Sequence, residues 1–315
     1  MRFSRAGRVA AFGAVLVGAA AVLYWQALGD SPPARAIPVL EARLDEASGL
    51  APAGRTADLL WAVNDSYGEP LVYAVGTDGR RLGALRVQGA TNVDWEALAA
   101  FPHAGRFWLA VADVGDNGAN RRTGAIHFVE EPSAAELLPG RELTVRPERS
   151  LTFRYEDGPR DCEAMLVDPK RGEILLISKR YSPPVLYRLP LAPASAGGKL
   201  TVARKVGTIR GIPRPNSWQR LLPTPVGRYR AQPTDAALSP DGRQVALLTY
   251  GGVYLYQRHD DTSWEQVFLQ PGRALSFHGL GQAEAVAFDA DGGTLYVTGE
   301  QARPVLVPYP LAEDN

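Results

Sequence analysis

Short apolar runs separated by turn residues recur along the chain from residue 37 to its end. A typical unit has one run, a turn such as Pro240-Asp241-Gly242, and two further runs. These runs are rich in β-branched, aromatic and leucine side chains, which is typical of β-strands. Fourth runs occupy residues 81–87, 143–153, 200–209 and, in a shorter form, 265–269. The pattern predicts an all-β protein built from repeated four-stranded units.

A short acidic motif marks the first strand of each unit. Asp94-Trp95-Glu96-Ala97-Leu98 is repeated nearly position for position by Asp161-Cys162-Glu163-Ala164-Met165, with looser copies elsewhere. The resulting anchor residues are Ser48, Glu96, Glu163, Asp235 and Glu284. Repeats at this spacing predict a ring of small sheets, a β-propeller with five blades, or with six if the long second or third unit contains another.

The two ends of the repeat region fit together. The fifth unit has three runs, whereas an extra run at residues 37–43 precedes the first anchor. Pairing this N-terminal strand with the last unit would complete the sheet and remove two open edges. The sequence therefore predicts a propeller at residues 37–315 that is closed by its N-terminal strand.

The first 30 residues differ from the rest of the chain. Arg2, Arg5 and Arg8 precede an uncharged apolar stretch, residues 9–28, which is long enough to span a bilayer. We expect one N-terminal hydrophobic helix that anchors the chain in the inner membrane, a linker at residues 31–36, and a propeller in the periplasm. The alternative is a signal peptide cleaved near Gly29, which would release a secreted protein.

Charge and cysteine content narrow the function only slightly. The 34 basic and 34 acidic side chains give a formal net charge of zero, so no nucleic-acid partner is expected. The lone Cys162 excludes an internal disulfide.

The acidic motifs are the main candidates for chemistry. Residues i and i+2 of a strand share a face, so Asp94 projects with Glu96 and Asp161 with Glu163, whereas Trp95 and Cys162 point into the packing. The four acidic anchors would then form a ring in the central channel of the propeller, which Ser48 completes without charge. Oxygen ligands favour Ca²⁺, and we expect the metal ligands Glu96, Glu163, Asp235, Glu284 and Asp113. Salt bridges with Lys179, Arg180 or Arg122, or a metal-free catalytic pair, are the alternatives.

A basic, proline-rich stretch interrupts the repeats at residues 208–233, which contain five arginines and no acid. If it reaches over the channel, Arg214 and Arg220 would bind an anionic substrate together with Lys179 and Arg180. Catalytic candidates are Asp94 or Asp161, which could activate water, and His278, the histidine nearest to an anchor acid. The alternative is a solvated surface loop without a functional role.

The acidic motifs Asp-Trp-Glu-Ala-Leu, Asp-Cys-Glu-Ala-Met and Gln-Ala-Glu-Ala-Val, with Gly115-Asp116-Asn117, resemble those of bacterial extracytoplasmic propellers. The most similar groups are the phytase-like esterase and SdiA-regulated families. The resemblance covers most of residues 40–310 and implies a Ca²⁺-associated propeller. It implies a role in Ca²⁺ binding or in the site for Glu96, Glu163, Asp235 and Glu284.

Two functions follow as hypotheses. The first is a membrane-tethered binding module for a protein, a glycan or a small anionic ligand. The second is a metal-dependent hydrolase of a phosphate ester, carboxylic ester or lactone. A deep, acid-lined pocket would favour the hydrolase, whereas a plugged channel would favour the binding module.

Overall fold

The computed structural model describes residues 35–192, 200–259, 262–275, 280, 282–300 and 303–311. Residues 1–30, on which the anchor or signal-peptide prediction depends, lie outside this part. No helix in the described part is both long and apolar enough to cross a bilayer.

Antiparallel strands dominate the described residues and fall into four sequential groups of four and a last group of three. An isolated strand, β1 (Ile37–Pro38), comes first. The first group is β2 (Ala47–Pro52), β3 (Leu59–Asn64), β4 (Leu71–Gly76) and β5 (Arg81–Val87). The second is β6 (Trp95–His103), β7 (Arg106–Asp113), β8 (Gly124–Glu130) and, after a 3-10 turn (Ala134–Glu136) and β9 (Glu142–Val145), β10 (Arg149–Tyr155).

The remaining groups repeat this order. The third is β11 (Cys162–Asp168), β12 (Glu173–Ser178), β13 (Val185–Pro190) and β14 (Thr201–Thr208). After helix α1 (Ser217–Leu221), the fourth is β15 (Pro233–Leu238), β16 (Gln244–Thr249), β17 (Gly252–Gln257) and, after helix α2 (Trp264–Val267), β18 (Arg273–Leu275). The fifth is β19 (Ala283–Phe288), β20 (Thr294–Gly299) and β21 (Val305–Pro310).

The groups form a closed ring. Each first strand contacts the next one, in the order β2, β6, β11, β15 and β19, and β19 contacts β2 again. The apolar clusters of the described residues lie between successive sheets, and Trp95 and Cys162 are fully buried in two of them. This confirms that the apolar partners of the motif acids point into the packing. The arrangement is a propeller-like ring of sheets.

The N-terminal strand completes the last sheet as predicted. Ile37 pairs with Leu306 and Pro38 with Val305, so β1 becomes the outer strand beside β21. Pairing hides the edge of β21 and joins the start of the described chain to its end.

Two predicted outer strands differ from the structure. Residues 143–153 are not one strand, since Pro147 lies between β9, which pairs in parallel with β5, and β10, which pairs with β8. Proline cannot donate a hydrogen bond to the ladder, which explains the break. Residues 265–269 are not a strand either. They overlap helix α2, in which Trp264 is fully buried, and the short β18 takes the outer position.

Two buried hydroxyls connect neighbouring first strands. Ser48 Oγ donates to the Trp95 carbonyl at 2.7 Å, and Thr234 Oγ1 donates to the Ala283 carbonyl at 2.9 Å. We expect Ser48→Ala to lower the free energy of unfolding by about 1–2 kcal/mol, because a buried hydrogen bond between two sheets is lost. Urea denaturation measures this, with the exposed Ser217→Ala as the control. Equal stability of the two variants would contradict the prediction.

Candidate active site in the central cavity

A β-bulge shapes every first strand at the motif position. The pairing register slips by one residue between Trp95 and Ala97, between Cys162 and Ala164, and at the matching place in the other three strands. The residues left unpaired are Ser48, Glu96, Glu163, Thr234 and Glu284. A bulge adds one residue to one strand and redirects its side chain. Here it turns three glutamates toward the ring axis.

The bulge in β15 shows that the fourth predicted anchor, Asp235, was wrong. The residue at the bulge of β15 is Thr234, so the alignment that placed Asp235 in the ring is off by one position. Asp235 lies deeper, is fully buried, and accepts the amides of Ala236 and Val286 at 2.8 Å. Burial raises the pKa of Asp235, although these amide donors and that of Leu50 lower it. Asp235 therefore joins neighbouring first strands below the cavity and does not line it.

The residue that follows each second strand forms another ring of matching positions. These residues are Asp65, Val114, Lys179, Tyr250 and Glu300. All except the buried Val114 line the same cavity as Ser48, Glu96, Glu163 and Glu284. The remaining bulge residue, Thr234, donates its hydroxyl to the Ala283 carbonyl and does not line the cavity. Asp65, Tyr250 and Glu300 were absent from the sequence-based site. Their signal was the repeat itself, because the polar pairs Asn64-Asp65 and Ser178-Lys179 occupy matching places.

These two rings enclose an open cavity of ≈ 360 Å³. Its lining carries more acids than bases: five carboxyl groups face two cations, Lys179 and Arg180. The acids are Asp65, Glu96, Glu163, Glu284 and Glu300. Pro225, Tyr229 and Gln232 of the basic stretch also line the cavity, so part of this stretch reaches the cavity. Such an excess of acids stays buried only with bound protons, bases or a cation.

Lys179 is the central cation of the cavity. Its ammonium contacts Glu163 at 2.5 Å and lies 5.3 Å from the centre of the Tyr250 ring. Burial lowers the pKa of Lys179, but the charges of Glu163 and Glu284 outweigh burial and hold that pKa above its usual value. Lys179 therefore keeps its positive charge at neutral pH.

The surrounding acids hold protons more strongly than free carboxyl groups do. Burial, followed by the charge of Glu163, raises the pKa of Glu96 well above its usual value. Burial also raises the pKa of Glu284 to about 7, although Lys179 lowers it. Glu284 can therefore accept or release a proton near neutral pH, as general acid–base chemistry requires.

A cluster of three carboxyl groups forms one wall of the cavity. Oxygens of Asp65, Asp94 and Glu96 lie within 4.8 Å of one another, and Asp94 stands behind the other two. Asp94 is only 8% exposed, and its Oδ1 has no hydrogen-bond partner among the described residues. Burial and the contact with Asp65 raise the pKa of Asp94 to about 7. Hard oxygen donors around an unpartnered buried oxygen fit a Ca²⁺ or Mg²⁺ ion.

Gly115 allows this cluster to form. A Cβ at this position would stand 2.5 Å from the Asp94 carboxyl carbon and 2.7 Å from Glu96 Cγ. We expect Gly115→Ala to push the two carboxyl groups apart and weaken divalent-cation binding by about tenfold or more. Calorimetric titration with Ca²⁺ measures the loss. Gly293→Ala, at a turn where a Cβ would meet nothing within 4 Å and the backbone has no positive φ, is the control for binding. Unchanged affinity in Gly115→Ala would contradict this role.

Two predicted site residues are engaged outside the cavity. Asp113 accepts the Asp94 amide at 3.2 Å and pairs with Arg121 at 2.6 Å. Asp161 accepts the Asp116 amide at 3.0 Å and pairs with Arg180 at 2.5 Å. Neither lines the cavity. Asp161 thus pairs with a base that the salt-bridge alternative named, whereas Asp113 pairs with Arg121, which it did not name. The metal and catalytic roles of both acids stay predictions.

The predicted substrate-binding arginines form a separate neighbouring pocket. Arg214 and Arg220 line a space of ≈ 330 Å³ that shares Arg180, Tyr229 and Gln232 with the acidic cavity. The fourth predicted residue, Lys179, lines the acidic cavity but not this second pocket. His278 lies outside the described residues, and its role as a base stays a prediction.

Comparison with known proteins does not identify a family for this chain. No family model and no curated protein matches the chain. Among solved structures, a proposed 6-phosphogluconolactonase from Bacteroides uniformis is 13% identical, with a TM-score of 0.39 over 85% of this chain and 68% of that one. The hydrazine synthase of Kuenenia stuttgartiensis is 12% identical, with a TM-score of 0.44 over 85% and 84%. The WD40 repeats of RRP9 are 14% identical, with a TM-score of 0.39 over 83% and 67%. Likenesses at these values carry no functional argument.

Proposed function

We propose that the chain is a five-bladed propeller hydrolase that cleaves a phosphate ester, a carboxylic ester or a lactone in its acidic cavity. The observation that carries this proposal is the carboxyl cluster Asp65, Asp94 and Glu96, with its unpartnered buried oxygen, beside an open space. Sequence reasoning placed a binding module first. The open, acid-lined cavity favours the hydrolase instead.

The cluster would hold a divalent cation, and Ca²⁺ is the first candidate because all its ligands are oxygens. Such an ion supplies a Lewis acid for the substrate oxygen. Glu163 and Glu284, predicted from sequence as metal ligands, take other roles in this proposal. Glu163 is paired with Lys179 and keeps the ammonium in place.

Lys179 and Glu284, which also line the cavity, would stabilise charge and transfer protons. Glu284 has a pKa near 7 and could take a proton from an attacking water. The Lys179 ammonium could stabilise negative charge that develops on the substrate, because it is fixed before the reaction begins.

Membrane tethering belongs to the same proposal. The apolar residues 9–28 would anchor the chain and place the propeller outside the cytoplasm. A tethered binding module is the second candidate. It is favoured by the exposed aromatic side chains Tyr181 and Tyr229, which line the pocket beside the cavity, and by the exposed Trp218 on α1.

Turnover of a small panel tests the hydrolase. Full-length protein is incubated with p-nitrophenyl phosphate, p-nitrophenyl acetate and a δ-lactone, with Ca²⁺ or with a chelator. We expect hydrolysis of at least one substrate that the chelator abolishes and Ca²⁺ restores. Metal analysis of the purified protein shows which ion it retains. Absence of cation-dependent turnover across the panel would leave the binding module as the better account.

A further inference from the structure

The basic stretch between the third and fourth sheets exposes an unusual number of apolar side chains. Five of the twelve large apolar side chains exposed in the described part of the chain lie between residues 218 and 229. Trp218 is 79% exposed and Leu221 is 70% exposed. Together with three arginines they form what we call the insertion surface: Arg214, Trp218, Arg220, Leu221, Leu222, Val226, Arg228 and Tyr229. Patches of this kind mark interaction sites.

Local hydrogen bonds hold the helix on which these apolar side chains are exposed to solvent. Asn216 Oδ1 accepts the Gln219 amide, and Gln219 Oε1 accepts the Asn216 amide, both at 2.9 Å. This capping box fixes helix α1. Trp218 and Leu221 are three positions apart on α1, so their side chains share one face. Leu222, at the C-cap of the helix, is also exposed. The stretch is therefore an ordered turn whose apolar face points to solvent.

The charge of the stretch is of one sign. Residues 208–233 contain five arginines and no acid. Arg214, Arg220 and Arg228 line one pocket with Tyr229, and no salt bridge engages any of the three among the described residues. The chain as a whole has zero net charge, so this local excess is specific to the stretch. It is complementary to an anionic surface.

Exposed tryptophan and leucine beside unpaired arginines match the boundary of an anionic bilayer. Trp and Tyr favour the headgroup level, apolar side chains enter the acyl boundary, and Arg contacts the phosphates. The uncharged residues 9–28 lie in the same chain and are long enough to span a bilayer. They would hold the propeller next to such a surface and raise the effective concentration of the contact.

We propose that the insertion surface docks onto an anionic lipid bilayer. Trp218, Leu221 and Leu222 enter the headgroup–acyl boundary, and the arginines bind lipid phosphates. Tyr229 lines both this surface and the acidic cavity, so docking brings the cavity mouth close to the lipid. The contact does not depend on hydrolysis and remains testable if the cavity has another function.

A spin label at residue 221 tests the docking. The native Cys162 is fully buried, so Leu221→Cys provides the accessible thiol for labelling in the full-length protein. Leu138→Cys, at another leucine that is 48% exposed, is the matched control. Vesicles contain phosphatidylcholine alone or with phosphatidylglycerol. We expect the label at 221 to become accessible to oxygen and protected from a water-soluble relaxer only with phosphatidylglycerol, and the label at 138 to stay in water.

Charge reversal tests the role of the arginines. Arg214→Glu with Arg220→Glu is expected to weaken binding to phosphatidylglycerol-containing vesicles at least about tenfold, measured as the lipid concentration at which the 221 label is half buried, since each arginine near an anionic surface strengthens binding about fivefold. Arg141→Glu with Arg146→Glu changes the charge equally at exposed positions away from the insertion surface and should have little effect. Thermal unfolding checks that all variants are folded.

Three results would overturn the proposal. The first is a label at 221 that stays in water with phosphatidylglycerol, which would point to a protein partner. The second is equal burial with and without phosphatidylglycerol. The third is an equal response of the two charge-reversed double variants. None of them bears on turnover in the cavity, so failure here is separate from failure of the proposed hydrolase.

Discussion

Glu96→Gln and Asp65→Asn are each expected to lower cation-dependent ester hydrolysis by at least about a hundredfold. The amides keep the shape of the carboxyl groups but remove one negative charge from the cluster that would hold the cation. Initial rates are measured over a range of Ca²⁺ concentrations. Because the defect lies in cation binding, higher Ca²⁺ should restore part of the activity.

Matched substitutions outside the cavity separate this effect from general damage. Glu148→Gln and Asp78→Asn change the same residue types at surface positions far from the cluster and should retain full activity. Glu163→Gln should behave differently from Glu96→Gln, because Glu163 holds Lys179. We expect a loss of rate that added Ca²⁺ does not restore. Full activity in both Glu96→Gln and Asp65→Asn would remove the cation site from the reaction.

Without a divalent cation, the folded protein is expected to lose stability as the pH rises from about 5 to about 8. Glu284 keeps its proton up to a pKa of about 7 in the folded state, whereas a free glutamate has a pKa of 4.5. Between these values unfolding releases a proton, so the free energy of unfolding falls with increasing pH. The loss from Glu284 is about 2–3 kcal/mol, and Tm falls by about 5–10 °C. Asp94, also with a pKa of about 7, acts in the same direction.

Calorimetry in chelator at pH 5, 6, 7 and 8 measures this dependence. Glu284→Gln is neutral at every pH and should flatten the curve, whereas Glu148→Gln should leave it unchanged. Millimolar Ca²⁺ should raise Tm at pH 8 much more than at pH 5, because the ion binds ionised carboxyl groups. A Tm that rises with pH in chelator, or that Ca²⁺ does not change at pH 8, would contradict the electrostatic account of the cavity.

The repeat made much of the architecture predictable. Motifs such as 94–98 and 161–165 located the first strands, and turn residues separated the strands that follow. The spare strand at the N-terminus and the missing strand at the end predicted the pairing of β1 with β21, which the structure confirms. Two outer strands were misplaced. Pro147 interrupts one of them, and burial of Trp264 forms a helix where the other was expected. The alternation of apolar residues reveals neither effect.

The candidate site was predicted only in part. Ser48, Glu96, Glu163 and Glu284 do line one cavity, as their matching positions indicated. Asp235 does not, because a one-residue bulge decides which side chain of β15 faces the axis. Asp65 and Glu300 complete the cavity from the ends of β3 and β20, where the sequence shows polar loops without indicating their direction.

The sequence alone determined the all-β repeat, the closure by the N-terminal strand, and the residue types of the site, since these depend on local propensity and periodicity. The tertiary structure decided which acids meet. Asp65, Asp94 and Glu96 gather around an unpartnered oxygen, whereas Asp113 and Asp161 pair with arginines. The physical reason is that bulges and strand ends set side-chain direction within a few ångströms, and this direction depends on contacts between sheets that are distant in sequence.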